Sequence, residues 1–225
     1  MRQLTFHPHI GTVDISNPKY ISLILENPHS YWAFCRYLYD GFPEHLGYCT
    51  ISSEDEDIDM ETYGLFISNP LDLTLNTKPN LNALYKILKK SYFEELSAGV
   101  EQIEKELKKI CKEIKLDFDA ELVMDGSLRI DDVFKLGGLQ FCESNSGFLD
   151  QLTRYVSVSS ELRKIGVVFV CNIRDYLMED ELESFLKELF YRGISLVDIK
   201  TRDDRSDGND GVARFIVDQD LCTIS

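Results

Sequence analysis

Lys105, Lys108, Lys109, Lys112 and Lys115 are spaced so that about 100° per residue gathers five ammonium groups into one arc of a helix. Val100, Ile103, Leu107, Ile110 and Ile114 fall in the opposite arc, which is expected to face the core. Lys86, Lys89 and Lys90 precede them, so eight lysines and six acids lie between Tyr85 and Lys115, a net of +2 in a chain of net charge -15. A basic segment kept against that background suits phosphates. Lysines are point charges without bidentate geometry, so such a row grips a phosphate backbone without reading bases. Glu101 and Glu104 stand four residues before Lys105 and Lys108. That is the favourable order for helical ion pairs of about 0.2–0.5 kcal/mol, so a solvated face explains part of the pattern without a ligand.

Carboxylates follow at once: Asp117, Asp119, Glu121, Asp125, Asp131 and Asp132. The first three alternate in an extended segment and would share one face, while Asp131 and Asp132 open the next helix. Two carboxylates about 4 Å apart repel by roughly 1 kcal/mol in water and about 4 kcal/mol at an effective dielectric of 20. A packed cluster therefore needs a cation, a basic partner or protons, whereas dispersed acids on a solvated turn need nothing. Calcium, with 6–8 oxygen ligands in loose geometry, suits acids spread over this distance better than zinc does. A two-metal nuclease or nucleotidase would use the same acids, but no general base can be identified beside them. His7-Pro8-His9 reads as a strand-end turn, and Arg202–Gly211 (RDDRSDGNDG) as a mobile loop without the closing Glu of a calcium site.

The elements that must position these residues follow from pattern. Leu4 and Phe6, a turn at Pro8–Gly11, then Val13 and Ile15 alternate as strands do. Ile21–Leu25 reads as a buried strand; Asn27 caps and Pro28 opens a helix to about Leu38, with Trp32, Cys35 and Leu38 inward. Residues 52–59, SSEDEDID, read as an acidic surface loop, and Leu65–Ser68 as a strand. Helical period runs from Pro79 to about Leu116 with a break near Ser97–Gly99, then from Ile130 to Leu136, then from Phe148 to Lys164. Strand Gly166–Cys171, helix Glu179–Tyr191 stopped by Gly193, strand Ile194–Lys200 and strand Ala213–Val217 complete the chain. This succession predicts an α/β protein whose mostly parallel sheet is made from residues 1–75 and 165–225, with residues 76–164 inserted as a helical leg.

At the first strand–helix junction a nucleotide-binding protein would carry a glycine-rich loop with Lys and Ser/Thr. Here it reads Glu26-Asn27-Pro28-His29-Ser30, so nucleotide hydrolysis at that point is not expected. The 44% hydrophobic content predicts a folded globular chain, and no apolar run approaches the roughly 18 residues that span a bilayer. The start, MRQLTFHPHIGTV, has no signal-peptide core, which makes the cytoplasm the expected compartment. Six scattered cysteines without a CxxC pair read as reduced structural thiols.

Seven stretches, in order, resemble the Csn-two family of CRISPR-associated adaptation proteins of type II-A systems: LTFHPHIG, ISLILENP, LFISNPLDLTLNTKPNLNALYKIL, LDFDAEL, FKLGGL, VVFVCNIRDYLMEDELESFLKELFYRGI and FIVDQDLC. The resemblance runs nearly end to end. It implies a degenerate P-loop-NTPase-like α/β head, a helical leg, and a calcium-stabilised homotetrameric ring. That ring would bind double-stranded DNA ends without sequence preference through a lysine-lined hole, and would act in spacer acquisition with the adaptation integrase and the effector nuclease. It implies no enzymatic activity. By position, the calcium ligands would be Asp117, Asp119, Glu121 and Asp131. The lysine stripe comes from this sequence alone, since family members share no fixed lysine motif. An acidic adaptor that binds only proteins is the other alternative to the nuclease.

Overall fold

A computed structural model describes residues 1–8, 10–43, 46–53, 57–114, 126–143, 146–203 and 212–224. The chain divides into two compact units, Met1–Thr74 with Ser144–Ser225, and Leu75–Glu143.

The larger unit is built on two sheets. Strands β1 (Arg2–Phe6), β2 (Gly11–Asp14), β4 (Cys49–Ser53) and β5 (Asp57–Ile58) form an antiparallel sheet ordered β2-β1-β4-β5. Leu4 pairs with Val13 on one side and Ile51 on the other, so period-two alternation turns their side chains inward together. Part of the segment expected as an acidic loop is therefore ladder, with Ile51 opposite Ile58 and Ser52 opposite Asp57. The buried Ile51 anchors that register, which acidic composition alone does not reveal.

The second sheet has the order β10-β9-β3-β8-β7-β6, from β3 (Tyr20–Leu25), β6 (Gly64–Ile67), β7 (Val167–Cys171), β8 (Ser195–Lys200), β9 (Ala213–Val217) and β10 (Thr223–Ile224). All its pairings are parallel except β9 with β10. Every residue of β3 and β8 is buried, the polar Ser22, Asp198 and Lys200 included, as central parallel strands covered on both faces require. On one face lie Phe34, Tyr37 and Leu38 of helix α1 (Pro28–Tyr39) together with Leu4, Phe6 and Ile51 of the small sheet. On the other lie Leu152 and Val156 of α6 (Phe148–Arg163) and Leu182, Phe185 and Leu189 of α7 (Glu179–Tyr191). A one-turn helix α2 (Met60–Tyr63) leads into β6. Helix α6, placed by its period in the helical insertion, thus belongs to the core of the larger unit; its two fully buried apolar side chains decide the assignment.

Helix α1 begins as expected, with the Asn27 carboxamide oxygen accepting from His29 N at 3.0 Å and Ser30 N at 3.3 Å. Its inward phase differs. Trp32 is 66% exposed, and Phe34 and Tyr37 point inward, where their rings meet those of Phe6 and Tyr48. Leu38 is buried and Cys35 partly buried as expected, but the cluster of four aromatic rings sets the rotation of the helix and turns Trp32 outward.

The smaller unit holds α3 (Lys78–Ser91), α4 (Phe93–Glu113) and α5 (Ile130–Leu136). The break between the first two falls at Tyr92, which ends one helix and begins the other, and α4 runs on through Ser97–Gly99. A helical glycine costs about 1 kcal/mol relative to alanine, too little to stop a 21-residue helix.

Candidate nucleic-acid interface

Helix α3 starts at Thr77, whose hydroxyl accepts from Asn80 N, with Pro79 in the first turn. Tyr85 anchors its middle: the ring stacks at 5.3 Å on Phe134 of α5, and the hydroxyl donates to Leu139 O at 2.8 Å. Asn76 ties the ends of the unit together. Its amide donates to Phe141 O at 3.1 Å and to Glu143 Oε1 at 2.9 Å, and its oxygen accepts from Phe141 N at 2.8 Å. On this frame the second half of α3 carries Lys86 and Lys90 exposed and Lys89 half-buried.

Helix α4 carries Lys105, Lys108, Lys109 and Lys112, all exposed. Lys108 pairs with Glu104 one turn earlier, and that hydrogen bond holds the Glu104 carboxyl below its ordinary value. Among the described residues Lys105, Lys109 and Lys112 have no ion pair. The opposite arc departs from expectation. Val100 is buried, but Ile103 is 42%, Leu107 37%, Ile110 51% and Ile114 48% exposed. Leu75, Tyr85, Val100 and Ile130 are the buried hydrophobics of this unit among its described residues. They make a core too small to cover a six-turn amphipathic helix.

Lys115, Asp117, Asp119 and Glu121 lie outside the described residues. Asp131 stands in the first turn of α5 with an oxygen 3.7 Å from Lys89 Nζ, both side chains partly exposed. Asp132, beside it, is engaged by Arg129: Nε reaches Oδ2 at 2.9 Å and Nη2 reaches Oδ1 at 3.0 Å. These bonds hold the Asp132 carboxyl below its ordinary value. One member of the lysine set and one member of the acidic set thus meet across α3 and α5. Neither that contact nor the role of Arg129 is apparent in the sequence. Among the described residues, no three His, Cys, Asp or Glu side chains converge as a metal site.

The β3–α1 junction carries no vacant phosphate cradle. The N–H groups of His29 and Ser30 are taken by Asn27, Pro28 has none, and the Asn27 amide donates to Gln219 O at 3.0 Å. A crevice of about 630 Å³ at the ends of β3, β8 and β9 is lined by Glu26, Arg202 and Asp203, the last of which pairs with Arg214. His7 shares a hydrogen bond of 3.1 Å with Thr50, while His9 and residues 204–211 lie outside the described residues. A further polar group is one that no motif announces. Asp198, fully buried in β8, accepts from Tyr20 Oη at 2.9 Å and Ile173 N at 3.0 Å, with Lys200 Nζ at 3.5 Å. The alternation of β8, which puts Asp198 and Lys200 on one face, is the signal that could have found it.

No helix among the described residues is long and apolar enough to cross a membrane. No curated protein matches the chain. The family model for the CRISPR-associated protein (Cas_Csn2) matches residues 44–221. The chain belongs to that family, whose role is in CRISPR adaptation and which is not a known family of enzymes.

Proposed function

We propose that this Csn2 family member is a non-enzymatic subunit of a calcium-stabilised homotetrameric ring. The ring binds double-stranded DNA ends without sequence specificity during spacer acquisition, in company with the adaptation integrase and effector nuclease. The observation that carries the proposal is the two-sided exposure of α4. Its lysines lie exposed on one arc, with Lys108 paired to Glu104, and Ile103, Ile110 and the following Ile114 lie about half exposed on the other. An apolar stripe of that size calls for a cover, and a second copy of the same helix supplies one of matching length. Covering the stripe leaves the lysines of several subunits free to line a common opening. Lys105, Lys108, Lys109, Lys112 and Lys115, with Lys86, Lys89 and Lys90, would contact the phosphates.

Calcium would be held by Asp117, Asp119, Glu121 and Asp131. The 3.7 Å contact of Asp131 with Lys89 is long and partly exposed, so a cation with several oxygen ligands can displace it. Binding there would neutralise the carboxylates beside the lysines and release Lys89 toward DNA. The larger unit is read as a degenerate phosphate-binding head. Its first-turn N–H groups are already used, and Glu26 and Asp203 would repel a phosphate in the crevice.

Gel shifts on linear duplexes of unrelated sequence test the reading. With 6–10 phosphates contacted, affinity falls by about 10³–10⁵ between 50 and 200 mM salt, equally for all sequences, and weakens on chelation. Affinity indifferent to both salt and chelator overturns it. Degradation of the duplex with magnesium or manganese would favour the nuclease instead.

A further inference from the structure

Cys35 on α1 and Cys171 at the end of β7 are far apart in sequence, yet their sulfurs lie 3.7 Å apart. Both are free thiols and both are only partly buried. The other thiols lack this arrangement. Cys49 is buried, and burial pushes its thiol up to about 12, which keeps it inert. Cys142 donates to Glu143 O at 3.7 Å. We propose that Cys35 and Cys171 form a peroxide-responsive dithiol, a modification site that closes to an intramolecular disulfide joining α1 to β7.

The geometry requires little movement. A disulfide needs sulfurs about 2.05 Å apart, so the two must approach by roughly 1.7 Å, within the range of side-chain rotation at two partly buried positions. The chemistry is asymmetric. Either sulfur can donate across the 3.7 Å contact, and with the Cys35 S–H as donor that hydrogen bond lowers the Cys171 thiol below its ordinary 9.0 and raises Cys35. The Tyr31 phenol, one turn before Cys35, packs against the same core cluster as the two sulfurs. Burial holds that phenol protonated, so it does not serve as a base.

Cys171 is therefore the attacking thiolate. It displaces one oxygen of hydrogen peroxide, which leaves as water after taking up a proton, and becomes a sulfenic acid. Cys35 then attacks that sulfur. The S–S bond forms, the S–O bond breaks, and the hydroxyl leaves with the Cys35 proton as a second water. Two electrons pass from the two sulfurs to one peroxide.

The full chain is treated with hydrogen peroxide, its remaining thiols are alkylated in denaturant without reductant, and its peptides are mapped by mass. The expected result is a fall from six alkylatable thiols to four, with the Cys35 and Cys171 peptides joined and lighter by about 2 Da, and recovery with dithiothreitol. Cys35→Ser should leave Cys171 as a sulfenic acid that a dimedone-type probe captures, whereas Cys171→Ser should leave Cys35 alkylatable. The wild-type peptide map decides the matter without either variant folding. Cys35 and Cys171 that both stay alkylatable while Cys142 or Cys222 oxidises, or a Cys171 carried on to sulfinic acid without linkage, overturns the proposal.

Discussion

Replacing Ile103 and Ile110 by glutamine tests the central step, because it separates what holds the subunit together from what joins subunits. Glutamine is a good helix former and uncharged, so neither the propensity of α4 nor its charge pattern changes much. Burying a whole isoleucine side chain is worth about 1.5–3 kcal/mol. Ile103 and Ile110 are 42% and 51% exposed, so roughly half of that, about 0.7–1.5 kcal/mol each, is still to be gained by a cover. A two-fold interface uses each residue twice, so the double variant forgoes four such increments, about 3–6 kcal/mol. The dissociation constant of the assembly should rise by about 10²–10⁴. The isolated subunit should lose about 1.5–3 kcal/mol, the worth of the half of each side chain already buried within it, and still fold, since neither residue belongs to its fully buried core.

Solution mass by light scattering over a dilution series, with melting recorded where the protein is monomeric, reads both quantities. A mass that does not respond to the substitutions removes the second copy as the cover. A collapse of monomer stability with unchanged mass places the arc inside the subunit's own core and refutes the reasoning outright.

Three other outcomes follow from the same geometry. Charge reversal at Lys105, Lys109 and Lys112 should weaken duplex binding equally for all sequences and flatten the salt dependence by about 0.9 for each phosphate no longer neutralised, as read by gel shift. Asp198→Ala removes the carboxylate facing Lys200, Tyr20 and Ile173 in a buried strand and should cost about 3–5 kcal/mol in urea unfolding. Burial holds the Asp198 carboxyl above its ordinary 3.8. A raised carboxyl contributes stability that is full below 3.8 and declines as pH rises through the folded value, so the parent should show a decline over that window that Asp198→Ala lacks. Gly166→Ala would drive a methyl into the Tyr63 ring, in a segment fixed by the Gly166 N–H to Tyr63 O bond of 2.9 Å, and should lower the melting midpoint by several degrees.

Whatever a short window specifies is legible in the sequence. Helix α7 is legible because its apolar period runs unbroken to Gly193, where φ is 75°, and β3 and β7 because largely apolar runs between turn residues have few other uses. The cap at Asn27 is legible for the same reason, since capping is settled within three residues. The rotation of α1 is not, because Phe6 and Tyr48, which fix it, come from elsewhere in the chain. The end of α3 at Tyr92 is hidden because Gly99 competes with it as a breaker, although α4 passes through that glycine with open space where a side chain would be.

The candidate interface shows where a window stops being enough. Periodicity correctly separates lysines from aliphatics around α4, but it takes the aliphatic arc for the interior, whereas most of that arc faces outward in the single chain. Amphipathicity fixes that a face must be covered and says nothing about whose surface covers it. The contact of Lys89 with Asp131 has the same origin, since it joins two helices through a packed Tyr85–Phe134 pair that no local spacing encodes. Lys89 and Asp131 therefore form one electrostatic pair, in which a cation taken up by Asp131 would leave Lys89 more positive toward solvent. On that coupling, calcium and DNA should each strengthen the binding of the other, by equal factors as linkage demands.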